Sequence, residues 1–282
     1  MNVSPWRGHD LGTRTVAYTE RDAILYALAV GAPATALDLV HEERLRVLPT
    51  FALTLAQWAP DALGALGAFD VTTAVHGAQH LVVRRPLDPA GELTTRARVT
   101  EVWDKGSAAV FEVEVSAESF VATWSLFAPG GGGFGGERGP AAPSRPAGGT
   151  ARSLTVDTHD RQAALYRLLG DRHAMHIDPA AARAAGQPRP FLHGLCALAA
   201  TTLTLAPALG AHPADLTELR ARFAAPVFPG DRLDVTALTD GGGAARFEAS
   251  ADGRRALSGG LVRFHPAAPA AERTFPKENS LA

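Results

Sequence analysis

The 282-residue chain has one cysteine, Cys196, and two methionines. A single thiol cannot close an intrachain disulfide, which excludes a disulfide-stapled fold and fits a reducing compartment. Charge of one sign is also missing: 27 Lys+Arg stand against 29 Asp+Glu, a formal net charge of −2. That balance gives no electrostatic footprint for nucleic acid or for an anionic membrane surface. No run approaches the roughly 18 apolar residues of a membrane-spanning helix. The opening MNVSPWRGHDLG lacks the apolar core of a secretory signal, and the closing KENSLA is not the Ser-Lys-Leu peroxisomal address. The expectation is a cytoplasmic protein that engages neither nucleic acid nor membrane. Lysine is scarce as well, since Lys105 and Lys277 are the only two. Arginine in place of lysine, with abundant Ala, Gly and Pro, is the usage of a GC-rich bacterial genome, and it makes Lys105 stand out.

What the chain does contain is a duplication. The stretch APGGGGFGGERGPAAPSRPAGG, residues 128–149, holds too much Gly and Pro and too few apolar residues for a regular element. It reads as a flexible linker between halves of similar length. Three segments follow: an N-terminal domain over 1–127, a linker over 128–150 and a C-terminal domain over 151–282. ERDAILYALAVG in the first half resembles DRQAALYRLLGD in the second. Arg21 and Arg161, Leu25 and Leu165, Tyr26 and Tyr166, and Leu28 and Leu168 all stand 140 residues apart. So do Pro86 and Pro226, and Pro89 and Pro229, in a second landmark well downstream. Two landmarks at one offset imply a duplicated domain, because the period is far too long for a solenoid.

Each half reads as α+β. Leu, Ala and Tyr recur at helical spacing over 19–31 and 158–170, with Thr19 and Thr158 as candidate N-caps. LHGLCALAATTLTLA is apolar on most sides, as a central helix is. Runs that alternate apolar and polar residues follow in both halves, for example ELTTRARVTEVW and DRLDVTALTD. Such alternation marks half-buried antiparallel strands. A central helix wrapped by a long antiparallel sheet is the economical architecture for each half.

The chemistry-bearing residues concentrate in YRLLGDRHAMHID and PFLHGLC, which hold Asp171, His173, His176 and His193-Gly194. Taken singly they have plain readings. Asp171 after a helix-ending Gly suits a turn or a cap. Three histidines suggest a metal, but H-x-x-H is not the i, i+4 spacing of two ligands on one helical face, and no Cys cluster accompanies it. Cys196 lies inside an apolar helix, where a core thiol outweighs a nucleophile. GGGFGG lacks the Lys-Ser/Thr of a phosphate loop. Lys105 in WDKGSA is by default a solvated turn residue, and Phe223 is core or pocket wall.

Together these segments resemble the hydratase 2 motif of the MaoC-like family, the R-specific enoyl-CoA hydratases and 3-hydroxyacyl-thioester dehydratases. RFAAPVFPGDRL adds to the likeness. So do YTERDAILYALAVGA, VLPTFA, VHGAQHL, DKGSAAV and GGGFGG, which are similar to the first half of two-domain members such as the hydratase portion of the peroxisomal multifunctional enzyme. The resemblance covers nearly the whole chain. It implies a double hotdog fold, two central helices each wrapped by an antiparallel sheet. It implies Asp171 and His176 as the water-activating pair and Gly194 as the N–H donor to the thioester oxygen. His76, Gly77, Lys105, Arg172, His173 and Phe223 become substrate-binding candidates. It implies an acyl-CoA or acyl-carrier-protein thioester as substrate, with no metal and no separate cofactor, and it leaves a homodimer open. At the 140-residue offset Asp171 meets Gly31 and His176 meets Ala36, so one active site per chain is expected. The departures are His173-Ala174 where the family has Asn-Pro, and Leu169 where it has Ser. A thioester-binding module without turnover and a hotdog thioesterase stand as alternatives.

Overall fold

The computed structural model describes residues 4–140 and 148–265. Residues 141–147 of the expected linker, with 1–3 and 266–282 of the flanking domains, lie outside the described residues. Ten antiparallel strands form one sheet. The first half supplies β1 (Asp10–Tyr18), β2 (Val75–Val83), β3 (Gly91–Asp104), β4 (Ala108–Ser116) and β5 (Phe120–Pro129). The second supplies β6 (Thr150–Asp157), β7 (Leu216–Phe223), β8 (Arg232–Gly241), β9 (Ala244–Ala251) and β10 (Arg254–Phe264). Their order is β1-β3-β4-β5-β2-β7-β10-β9-β8-β6. Read outward from the middle, the two halves repeat one another. At the junction His80 pairs with Arg220 and Leu81 with Leu219. His80 and Arg220 are themselves 140 apart, so a pseudo-twofold axis passes through that pair. This is the double hotdog.

The helices are α1 (Glu20–Ala29), α2 (Leu37–Val40), α3 (Ala52–Leu55), α4 (Trp58–Ala65), α5 (Gln162–Tyr166), α6 (Pro179–Ala184) and α7 (Gly194–Ala208). The second-half central helix, α7, is buried on nearly every side, with Leu198 and Leu205 fully enclosed. Each such leucine contributes about 1.5–3 kcal/mol of apolar burial. Its first-half counterpart is not one helix but two pieces, α3 and α4, interrupted at Ala56-Gln57. Pro60 explains the break: it has no N–H to donate, and its ring clashes with the carbonyl four residues back, that of Ala56. Near the axis α1 packs on α5, and the duplicated Tyr26 and Tyr166 bring their rings to 6.0 Å.

Thr19 is the N-cap of α1 as expected, while two other local expectations change. Asp22 accepts hydrogen bonds from the Thr19 backbone N–H and hydroxyl, at 2.9 and 2.7 Å, and secures the start of α1. Thr158 is no cap, because its hydroxyl donates to the Asp231 carbonyl at 2.6 Å. The helix there starts only at Gln162, whose side-chain oxygen accepts from the His159 N–H. The glycine-rich segment after β5 is also tied down as far as residue 140. The Asp104 carboxylate accepts the backbone N–H groups of Gly106, Gly133, Gly135 and Gly136 at 2.7–3.3 Å. Gly133 and Gly135 have φ of +83° and +76°, conformations that only glycine adopts without strain. These bonds hold the Asp104 carboxyl down at about 2. Composition alone, reading only Gly and Pro, misses an anchor that lies outside the segment.

Candidate active site

The second half of the chain builds a tight polar turn. After α5, a 3₁₀ turn over Arg167–Leu169 ends at Gly170, whose φ of +142° turns the chain away from the helix. Asp171 follows, and its Oδ1 accepts the His173 backbone N–H at 3.2 Å and His173 Nδ1–H at 2.5 Å. A second 3₁₀ turn, Ala174–His176, buries His176 to 8 % exposure. Asp178 then caps α6 by accepting the Ala180 N–H at 2.7 Å, so it serves structure. His176 Nδ1 lies 2.8 Å from the Phe191 carbonyl. A carbonyl only accepts, so Nδ1 carries the proton and Nε2 presents a bare lone pair.

The chain returns at the start of α7. His193 is its N-cap residue and Gly194 its first helical residue, whose N–H has no intrahelical partner. His193, only 2 % exposed, approaches the Asp171 backbone carbonyl with Nε2 at 3.1 Å. Its ring stacks on His176 with centroids 3.8 Å apart and planes at 29°. Asp171, His176 and His193 each offer one ligand-type atom, all within 4.8 Å of one another.

A second group flanks the helix start. A Cβ at Gly194 would stand 2.9–3.0 Å from the Phe223 ring, so the aromatic face lies against bare backbone. His76, at the bulge where β2 meets β5, lies 4.7 Å from Phe223 and 6.4 Å from Trp124 between ring centroids. Its Nε2–H donates to the Ala78 carbonyl at 3.0 Å. The site is therefore assembled from both copies.

Electrostatics sorts the members. Burial raises the Asp171 carboxyl, but the His173 hydrogen bond and the nearby imidazoles outweigh it and hold the group below the usual carboxylate range. Burial lowers His176, and it lowers His193 to about 3 and His76 to about 4. The hydrogen bond to Asp171 raises His173. The result at neutral pH is an ionised carboxylate facing neutral, buried imidazoles.

Of the residues singled out in the sequence, the fold gathers Asp171, His173 and His176 in one turn and sets Phe223, with His76 against it, beside Gly194 at the start of α7. Gly77 lies next to His76, where a Cβ would meet the Ser125 carbonyl at 3.3 Å. Lys105 sits in the β3–β4 turn and donates to the Arg138 carbonyl in the glycine-rich segment. Arg172 is exposed and, among the described residues, forms no hydrogen bond or ion pair. The residue missed is His193. Its sequence signal is the His directly before Gly194, weighed only as a metal ligand, and the fold brings it rather than His173 into the three-residue cluster. The cavity lined by Leu28, His159, Asp160, Arg161, Gln162 and Leu165 contains none of these groups.

Each half of the chain matches a known domain family. Residues 16–124 match the MFE-2 hydratase 2 N-terminal domain, and residues 143–255 match the MaoC like domain. The 3-hydroxyacyl-thioester dehydratase Y of Mycobacterium tuberculosis is 36% identical over 270 residues, covering 88% of this chain and 93% of the relative. The peroxisomal enoyl-CoA hydratase 2 of Arabidopsis thaliana is 33% identical over 259 residues, covering 80% and 83%. A crystal structure of a MaoC-like dehydratase from Phytophthora capsici superposes with a TM-score of 0.81 at 27% identity, over 96% of this chain and 100% of the other. The chain belongs to the MaoC-like, hydratase 2 family.

Proposed function

We propose that this protein is a hydro-lyase of fatty acid metabolism. It adds water to a trans-2-enoyl-CoA to give the (R)-3-hydroxyacyl-CoA, and it runs the reverse dehydration. The observation that carries this reading is the gathering of Asp171, His176 and His193 within 4.8 Å of one another, with Gly194 the next residue and the first of α7. Hydration of an enoyl thioester has three needs: a proton removed from water as its oxygen attacks C3, a proton given to C2, and stabilisation of the charge that grows on the thioester oxygen. The ionised Asp171 carboxylate orients the water by accepting one of its hydrogens. The bare Nε2 of His176 takes the other proton and returns it to C2, so that one water supplies both the hydroxyl and the hydrogen. Positioned acid–base groups of this kind contribute about 10²–10⁴-fold. The Gly194 N–H, at the positive end of α7, meets the enolate oxygen, and such a donor contributes on the order of 3 kcal/mol.

His76, Gly77 and Phe223 form the wall along which the thioester enters. Lys105, Arg172 and His173 are assigned to the CoA or carrier-protein end of the substrate. The reaction is redox-neutral and its proton transfers are met by side chains, so no metal or separate cofactor is assigned. Among the described residues no helix is long and apolar enough to cross a membrane, and a cytoplasmic location is proposed. A homodimer is compatible but not required, since one chain already supplies both hotdogs. The test is hydration of crotonyl-CoA and of a longer enoyl-CoA, followed by loss of enone absorbance. Turnover by the wild type supports the reading, and the absence of turnover on both substrates overturns it.

A further inference from the structure

We propose that His193 is a positioning residue that locks the catalytic turn to the start of α7, acting through a single ring proton on Nε2. The inference rests on the hydratase reading and goes beyond it. Three contacts carry it. First, His193 Nε2 lies 3.1 Å from the carbonyl oxygen of Asp171, 22 residues away in sequence. That carbonyl can only accept, so the proton sits on Nε2 and the ring is the Nε2–H tautomer. Second, the other nitrogen, Nδ1, is fully buried and has no partner among the described residues. The hydrogen-bonding work of this side chain therefore falls on Nε2 alone. Third, the His193 ring packs against two others, its centroid 3.8 Å from that of His176 and 4.8 Å from that of Tyr166.

His193 thus touches the backbone of one reacting residue and the ring of the other, and it immediately precedes Gly194, the proposed oxyanion donor. A rotation of its side chain would shift all three relative to one another. Proton transfer and oxyanion binding both depend on sub-ångström placement, and a misplacement of about 1 Å costs on the order of 10²-fold. The expected signature is a loss in kcat with KM little changed, because the residue sets the geometry of the chemistry and does not bind the acyl-CoA.

The atoms suggest a discriminating pair of variants. The Nε2 of glutamine reaches nearly the place of histidine Nε2, whereas the Nδ2 of asparagine falls near histidine Nδ1. His193→Gln should keep the donor to Asp171, and His193→Asn should lose it. With crotonyl-CoA and the full-length chain, His193→Gln is expected to retain kcat within about threefold. His193→Asn is expected to lose on the order of 10²-fold in kcat while KM moves less than about threefold. Equal losses in both variants, or a better Asn than Gln, would overturn the inference. A direct measurement on the unmodified protein needs no variant. Nitrogen NMR of the ring should show His193 as a neutral imidazole protonated on Nε2, and protonation on Nδ1 would overturn the inference. Failure of the hydratase reading is separable, because it would appear as no turnover by the wild type.

Discussion

Nδ1 of His173 lies 2.5 Å from Oδ1 of Asp171, joining a side chain that is 51 % exposed to one that is 17 % exposed. The hydrogen bond to Asp171 raises the imidazole pKa, burial works against it, and the charges of Asp171 and Asp61 add to the rise. Asp61 belongs to α4, so the first copy contributes to the electrostatics of the second copy's turn. A group whose pKa is raised on folding stabilises fully below its unfolded value of about 6.5 and loses that contribution as pH rises through the folded value. His173→Asn should therefore lower Tm relative to the wild type more at pH 6 than at pH 9. Paired thermal melts check this, and a gap that is constant or widens with pH would contradict the pairing.

The Phe223 ring leaves no room for a methyl group at Gly194. Gly194→Ala must either displace the ring, which lines the proposed path of the thioester, or tilt the first turn of α7, which moves the N–H away from the proposed place of the thioester oxygen. The expected loss in kcat/KM is on the order of 10²-fold, the cost of one misdirected oxyanion donor. Stability should change little, because Ala has the better helix propensity, by up to about 1 kcal/mol. Steady-state kinetics beside a thermal melt decide the matter. A variant within twofold of wild type would remove Gly194 from the mechanism.

Asp104 secures the chain between the two hotdogs by accepting four backbone N–H groups. Its carboxyl is held at about 2, so its contribution is present above the unfolded value of about 3.8 and is lost as pH falls from there toward 2. Asp104→Ala should release the glycine-rich segment at neutral pH without touching the catalytic turn. Limited trypsin digestion reads this directly. Cleavage after Arg138 should accelerate in the variant, and unchanged cleavage would show that the four bonds do not hold the segment.

Much of this was legible in the sequence, for physical reasons. Strands such as β3 and β8 bury one face, so their alternation is written in the residues. The 140-residue offset survived because Tyr26 and Tyr166 are core residues near the axis. The edge strands β1 and β6 carry no such pattern. They lie at the two ends of the sheet, are largely exposed, and bury too few side chains to impose a period. The split of α3 from α4 was hidden in a single residue, Pro60, inside an otherwise helical run. In the site, Asp171 and His176 stood out because they share one short motif. The role of His193 is not written there, because its partner, the Asp171 carbonyl, is backbone and leaves no trace in residue identity.

Asp171 and His176 are proposed to activate water together against an enoyl thioester. The most direct test follows crotonyl-CoA with purified wild-type protein and with Asp171→Asn, recording enone absorbance and free thiol in the same reaction. Asparagine keeps the shape but loses the charge that orients the water. Enone loss by the wild type is expected, with a fall of at least about 10²-fold in the variant and no free thiol from either. Release of free thiol, or an Asp171→Asn variant that hydrates at the wild-type rate, would contradict it.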